Sequence, residues 1–134
     1  MRILPSALLL LALAACAPRE YHRGAARPLP ASADALGCAA GELARLGYRI
    51  HDRDPDSGRL YARRQRPRAP GDRYPRSDWL DIEVTGSGAA RTLSVSAATL
   101  EGGDGGVAPR FRAPVPRAEA DRDAILAACA GEGS

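Results

Sequence analysis

From residue 33 onward the hydrophobic positions recur with two different periods. In "SADALGCAAGELARLG", Leu36, Ala39, Ala40, Leu43 and Leu46 fall mostly three or four apart, which lines up one face of a helix. Ser32 or Asp34 stands where a cap would start it, and Gly47 where it would end. The period then drops to two. "YRIHDRD" sets Tyr48 and Ile50 against Arg49 and His51; "RLYARRQ" sets Leu60 and Ala62 against Tyr61 and Arg63. The intervening "DPDSG" is a turn by composition, so the two runs predict a hairpin. A second hairpin spans "GSGAA". Leu80, Ile82 and Val84 alternate with Trp79, Asp81 and Glu83, then Leu93, Val95, Ala97 and Thr99 with Ser94, Ser96 and Ala98. "RAEADRDAILAACA" predicts a last helix, with Pro116 in its first turn and Gly131 at its end.

Only one face of each strand is apolar, so only one face needs cover. The expectation is an α+β, two-layer sandwich: a four-stranded antiparallel meander with an N-terminal and a C-terminal helix on one face, in the order α-β-β-β-β-α. Residues 33–131 form this single domain and 132–134 a tail. The segments "RPRAPGDRYPRS" and "EGGDGGVAPRFRAPVP" have no periodicity and are expected as loops.

The chain before residue 33 follows a different pattern. Arg2 precedes an apolar stretch, Ile3 to Ala15, well short of the ~20 residues a membrane-spanning helix needs. A short basic start followed by such a run is the pattern of a targeting segment. At its end, Leu13-Ala14-Ala15-Cys16 resembles the lipobox of bacterial lipoproteins. That resemblance implies a diacylglyceryl group on the Cys16 thiol, cleavage of residues 1–15 as a signal peptide, and an N-acyl chain such as palmitate on the new N-terminus. A secretory signal cut after Ala15 would use the same small residues without requiring the cysteine. In the family resembled, Asp after the cysteine favours the inner membrane. Ala17 therefore implies the periplasmic face of the outer membrane. Residues 16–32, polar and with three prolines, read as a flexible tether in which Arg19, Arg23 and Arg27 can graze anionic head groups. The resemblance covers only the first sixteen or so residues, and no motif beyond Cys16 points to a named family.

With Cys16 lipidated, two cysteines remain. Cys38 and Cys129 sit on the two helices expected side by side, in an exported domain where disulfides persist. The expectation is a bond between them; two separate buried thiols are the other reading.

Charge narrows the chemistry further. All 19 basic residues are arginine, so lysine Schiff-base or general-base chemistry is excluded. Arg64, Arg66, Arg68, Arg73 and Arg76, with Tyr61 and Tyr74 between or beside them, are candidate anion-binding residues for lipopolysaccharide phosphate or a cell-wall polymer. The competing use of strand arginines is local: Arg59 or Arg63 can pair across strands with Asp81 or Glu83. Asp52, Asp54 and Asp56 alternate like a calcium loop, but Ser57 and Arg63 stand where such a loop needs glycine and glutamate. An acidic turn is the simpler reading.

No catalytic or metal site is expected. His22 and His51 are far apart in the chain, no serine has a G-x-S-x-G setting, and "GGDGG" lacks the lysine of a phosphate loop. No cofactor is expected beyond the covalent lipid, and no nucleic-acid partner. The expected protein is therefore a lipid-anchored envelope protein: a non-catalytic interaction or structural module whose partners are membrane lipid and an envelope protein. The alternative is a binder of anionic glycan or lipid through residues 59–76.

Overall fold

The computed structural model describes residues 21–103 and 105–131. The signal segment, the lipobox with Cys16, and residues 132–134 lie outside the described residues.

The elements are β1 (Arg23–Pro28), α1 (Ala35–Arg45), β2 (Arg49–Asp54), β3 (Arg59–Gln65), β4 (Arg76–Thr85), β5 (Thr92–Glu101), β6 (Arg110–Arg112) and α2 (Pro116–Ala130). Strands β2 to β5 form the expected antiparallel meander. Helix α1 packs over β2, β3 and β4, and α2 over β1, β4 and β5. The two helices lie against one another and are joined by the Cys38–Cys129 disulfide, with Cα atoms 5.5 Å apart. Among the described residues, no helix is long and apolar enough to cross a membrane.

Among the described residues the sheet has six strands rather than four. The two additional strands both lie along β5: β1 pairs with Thr92–Ala97 and β6 with Thr99–Glu101, end to end on one edge. Residues 23–28 are thus not tether but strand. Their composition, Arg-Gly-Ala-Ala-Arg-Pro, carries almost no hydrophobic alternation. Backbone hydrogen bonds to the otherwise open edge of β5 form the strand, and Ala25 is its contribution to the core. The folded domain therefore begins ten residues earlier than the helix-based boundary at residue 33. The opposite edge is β2, whose six residues are all exposed.

The covered face carries the core: Leu43 from α1, Leu60, Leu80, Ile82, Leu93 and Val95 from the sheet, and Ile125 and Leu126 from α2, all essentially inaccessible. Burying each such side chain contributes roughly 1.5–3 kcal/mol.

Helix α1 starts at Asp34, whose carboxylate accepts from the Gly37 N–H at 3.0 Å. It ends in a Schellman turn. Gly47 at φ +85° lets its N–H reach the Ala44 carbonyl and the Tyr48 N–H the Leu43 carbonyl. That turn fixes where Tyr48 points.

In the β2–β3 turn, Asp54 accepts from the N–H groups of Asp56 and Ser57 at 3.1 and 3.3 Å. Its carboxylate is used in the turn itself, as an acidic turn requires.

Candidate functional site

The two faces of the sheet differ in what they do with charge and with aromatic rings. On the helix-covered face, alternation places Arg64 in line with Leu60 and Ala62, and Asp78 in line with Leu80 and Ile82. In α2, Asp121 falls in the buried stripe of Ala118, Ile125 and Cys129. The three meet under the helices. Arg64 Nη2 lies 2.7 Å from Asp78 Oδ2 and 2.7 Å from Asp121 Oδ2, while its Nη1 donates to the Leu46 carbonyl at 2.9 Å. Tyr48 donates its hydroxyl to Asp121 at 2.9 Å, and the Arg64 guanidinium stacks 4.3 Å above the Tyr48 ring.

Burial opposes the charge on Arg64. The hydrogen bonds to the two carboxylates and the neighbouring Tyr48 outweigh it and hold the guanidinium above its ordinary pKa. Burial pushes the Tyr48 phenol well above its ordinary value, against the pull of Arg64.

This geometry changes the reading of the arginine segment. Arg64 is an internal cation and is not available to an external anion. Arg66 Nε lies 3.3 Å from Asp78 Oδ1, close enough to attract it but not aligned as a hydrogen bond. Arg76 Nε pairs with the buried Glu101 at 3.2 Å, which also takes Arg112 at 3.2 Å. Arg68 and Arg73 stay exposed in the β3–β4 loop, where Arg68 donates to the Arg73 carbonyl and Arg73 sits over the Tyr74 ring. The five arginines are spread along the sheet and its β3–β4 loop, with Arg64 and Arg66 sharing Asp78, instead of converging on one open site.

The uncovered face is aromatic. Directly paired strand residues share a face, and the register sets Arg63 and Ala98 on either side of Trp79, Tyr61 and Ser96 on either side of Asp81, and Phe111 beside Leu100. Tyr61 and Trp79 have ring centres 5.5 Å apart, and Trp79 and Phe111 meet edge to face at 5.7 Å. His22, just before β1, packs on Phe111 at 4.8 Å. At the other end, the Arg59 guanidinium lies 5.1 Å over Tyr61. A continuous row of rings therefore crosses the sheet from β3 to the β1–β6 edge. Ala98 and Leu100, paired with Trp79 and Phe111, are buried beneath it although they lie on the open side.

The polar residues of this face surround the row. Arg59 and Asp81 form the cross-strand pair that strand adjacency allowed, at 3.3 Å, and Arg63 donates to Ser77 at 3.0 Å. Asp81 Oδ1 and Arg59 Nε are buried with no hydrogen-bond partner among the described residues. Burial raises the Asp81 pKa, against the pull of Arg59. Toward β1 the face drops to a shallow depression of about 320 Å³ floored by Gly24, Ala26, Ser94 and Ser96.

A second depression, about 350 Å³, lies at the end of the sheet beside the start of α1, with Asp34, Arg53, Asp56 and Arg91 around it. Two of its charged groups serve the fold: Asp34 caps α1, and Arg91 holds the carbonyls of Pro30, Ala31 and Ala33. The aromatic face is the better candidate. Among the described residues, no three His, Cys, Asp or Glu side chains are placed to hold a metal ion.

Sequence alternation assigned Tyr61 and Trp79 to the outer face. Phe111 and His22 were out of reach because they sat in segments read as loop and tether. No family model matches the chain, and no curated protein is significantly similar to it.

Proposed function

We propose that this chain is an exported, lipid-anchored envelope protein. It is held through acylated Cys16 at the periplasmic face of the outer membrane and acts as a non-catalytic interaction module through the uncovered face of its sheet. What supports the contact surface is the placement of the large rings. The chain has one tryptophan and one phenylalanine, and both stand in the open aromatic row instead of in the core. Large rings are the side chains that gain most from burial. A core of Leu, Ile, Val and Ala leaves that gain to be made against a second surface. The anion-binding alternative has less support, because Arg64, Arg66 and Arg76 are held by the chain's own carboxylates.

Two experiments test the proposal. A photo-crosslinking residue replacing Tyr61 or Phe111 in the native envelope should give discrete adducts, whereas one replacing Ala127, exposed on α2, should not. Equal yields at all three positions would remove the open face as the contact surface. For the anchor, Cys16→Ser should release a soluble or unprocessed form lacking the acyl mass. Unchanged membrane association and mass would refute lipidation.

A further inference from the structure

We infer that the surface met by the aromatic face is the lipid headgroup layer that holds the chain's own acyl anchor. This rests on the lipid-anchored reading above and adds the occupant of the face.

The argument starts from β1. Because the strand takes up Arg23–Pro28, only residues 17 to 22 separate Cys16 from the sheet. Even fully extended, those six residues reach about 20 Å. The domain is held near the membrane by the stretch of surface from which the chain leaves it.

That stretch is one end of the aromatic row. His22, the last residue before β1, packs its ring on Phe111, and the row continues through Trp79 to Tyr61. Tyr21, just outside it, is also exposed. The chain therefore leaves toward Cys16 at the end of the ring row, while the two helices cover the opposite face of the sheet.

The chemistry of this side suits a headgroup layer. Tryptophan and tyrosine concentrate where water meets hydrocarbon, because each joins an apolar body to a polar tip. Arginines reach lipid phosphates while laying their stems on apolar surface. Arg59 lies over Tyr61 at one end of the row, and the register sets Arg63 beside Trp79 and Arg49 beside Arg63 on the same face. The register puts four carboxylates on this face, of which Asp52 and Asp54 lie on β2, the edge farthest from His22, with Asp54 taken up by its own turn. Asp81 is paired with Arg59, and Glu83 lies opposite Arg59 and Ser94, two strand positions beyond Asp81 and away from His22. A neutral glycan could also stack on these rings, but the length of chain between Cys16 and β1 favours the membrane.

Trp79 is the only tryptophan, so it reports the contact directly. The full chain, purified from membranes with its native N-terminus, is reconstituted into phosphatidylethanolamine–phosphatidylglycerol vesicles. Some of these vesicles carry a headgroup nitroxide. The control is the Trp79→Phe/Ala127→Trp double variant in the same vesicles, which moves the reporter to the helix side. The expected result is blue-shifted Trp79 emission, severalfold stronger nitroxide quenching than in the control, and severalfold weaker quenching by aqueous iodide. Phe111→Ala should weaken the nitroxide quenching without changing flotation.

A wild-type chain that floats with the vesicles while Trp79 stays as iodide-accessible as the control overturns the inference and leaves the anchored reading standing. Protection of Trp79 that appears only on adding purified peptidoglycan fragments assigns the face to a glycan and likewise overturns it. A chain that neither carries acyl mass nor floats overturns both.

Discussion

Replacing Arg64 separates the two roles open to it. A surface arginine that binds an external anion can be changed at a cost within about 0.5 kcal/mol of folding stability. In the structure, Arg64 lies 2.7 Å from two carboxylates, one fully buried and the other nearly so, and caps a helix carbonyl. Arg64→Met would leave Asp78 and Asp121 facing each other without the guanidinium that bridges them, Asp78 keeping only Arg66 at 3.3 Å from its other oxygen. Removing one partner of such a buried pair costs about 3–5 kcal/mol, because the remaining charge is stranded and not because the pair was strongly favourable. Small domains have ~5–15 kcal/mol in total, so the loss is a large share of the whole.

Urea unfolding followed by Trp79 fluorescence measures the effect, since Trp79 adjoins Asp78 on β4. Arg64→Lys keeps the charge but cannot span both carboxylates and the Leu46 carbonyl together, so it should fall between wild type and Arg64→Met. If stranded charge is the cause, Arg64→Met/Asp78→Asn should regain at least about 1 kcal/mol over Arg64→Met alone. An Arg64→Met chain within about 0.5 kcal/mol of wild type would refute the reasoning, and Arg68→Met and Arg73→Met should show that small effect.

Three further outcomes are expected. The Cys38–Cys129 bond closes a loop with a sequence separation of 91. Removing it with Cys38→Ala/Cys129→Ala should therefore cost about 4–5 kcal/mol on the loop-entropy account; two alkylatable thiols in the unreduced wild-type protein would show the bond absent. Burial raises the Asp81 pKa, so the folded chain keeps a proton the unfolded chain releases. The associated stability is full below the unfolded value of ~3.9 and is lost as pH rises through the folded one; Asp81→Asn should remove that decline, and parallel urea midpoints for wild type and variant from acid to neutral pH would contradict it. Gly58 has φ +69°, and a Cβ there would meet the Val84 carbonyl oxygen at 2.7 Å, whereas nothing lies within 4 Å of a Cβ at Gly41. Gly58→Ala should destabilise by more than ~1 kcal/mol and Gly41→Ala, inside α1, should stabilise by ~0.5–1 kcal/mol; the same sign for both would count against the turn geometry.

The two helices, their ends, and the four central strands, with the inward residues of β3, β4 and β5, were legible because each follows from local periods and caps; Ile50 on β2, expected on the apolar face, is exposed at the edge, where the register shifts. Asp34, Gly47, Pro116 and Gly131 act within a turn of where they sit, and one-residue alternation puts Leu80 and Ile82 on one face and Trp79 on the other wherever the strand lies. The same alternation contained Arg64 and Asp78 as inward polar residues, and the helical period put Asp121 in an apolar stripe. In the linear sequence, however, a charge at an inward position looks the same whether its partner is solvent or a carboxylate many residues away. β1 and β6 carry too little alternation to be read as strands. They form because β5 offers an unpaired edge, and that edge exists only once the meander has assembled. Joining them to β5 brought His22 and Phe111, 89 residues apart in sequence, to the end of a row begun by Tyr61 and Trp79. Local period thus determined which residues turn inward and where elements stop. Long-range backbone pairing decided which charges neutralise one another, which rings form a surface, and how little chain separates that surface from Cys16.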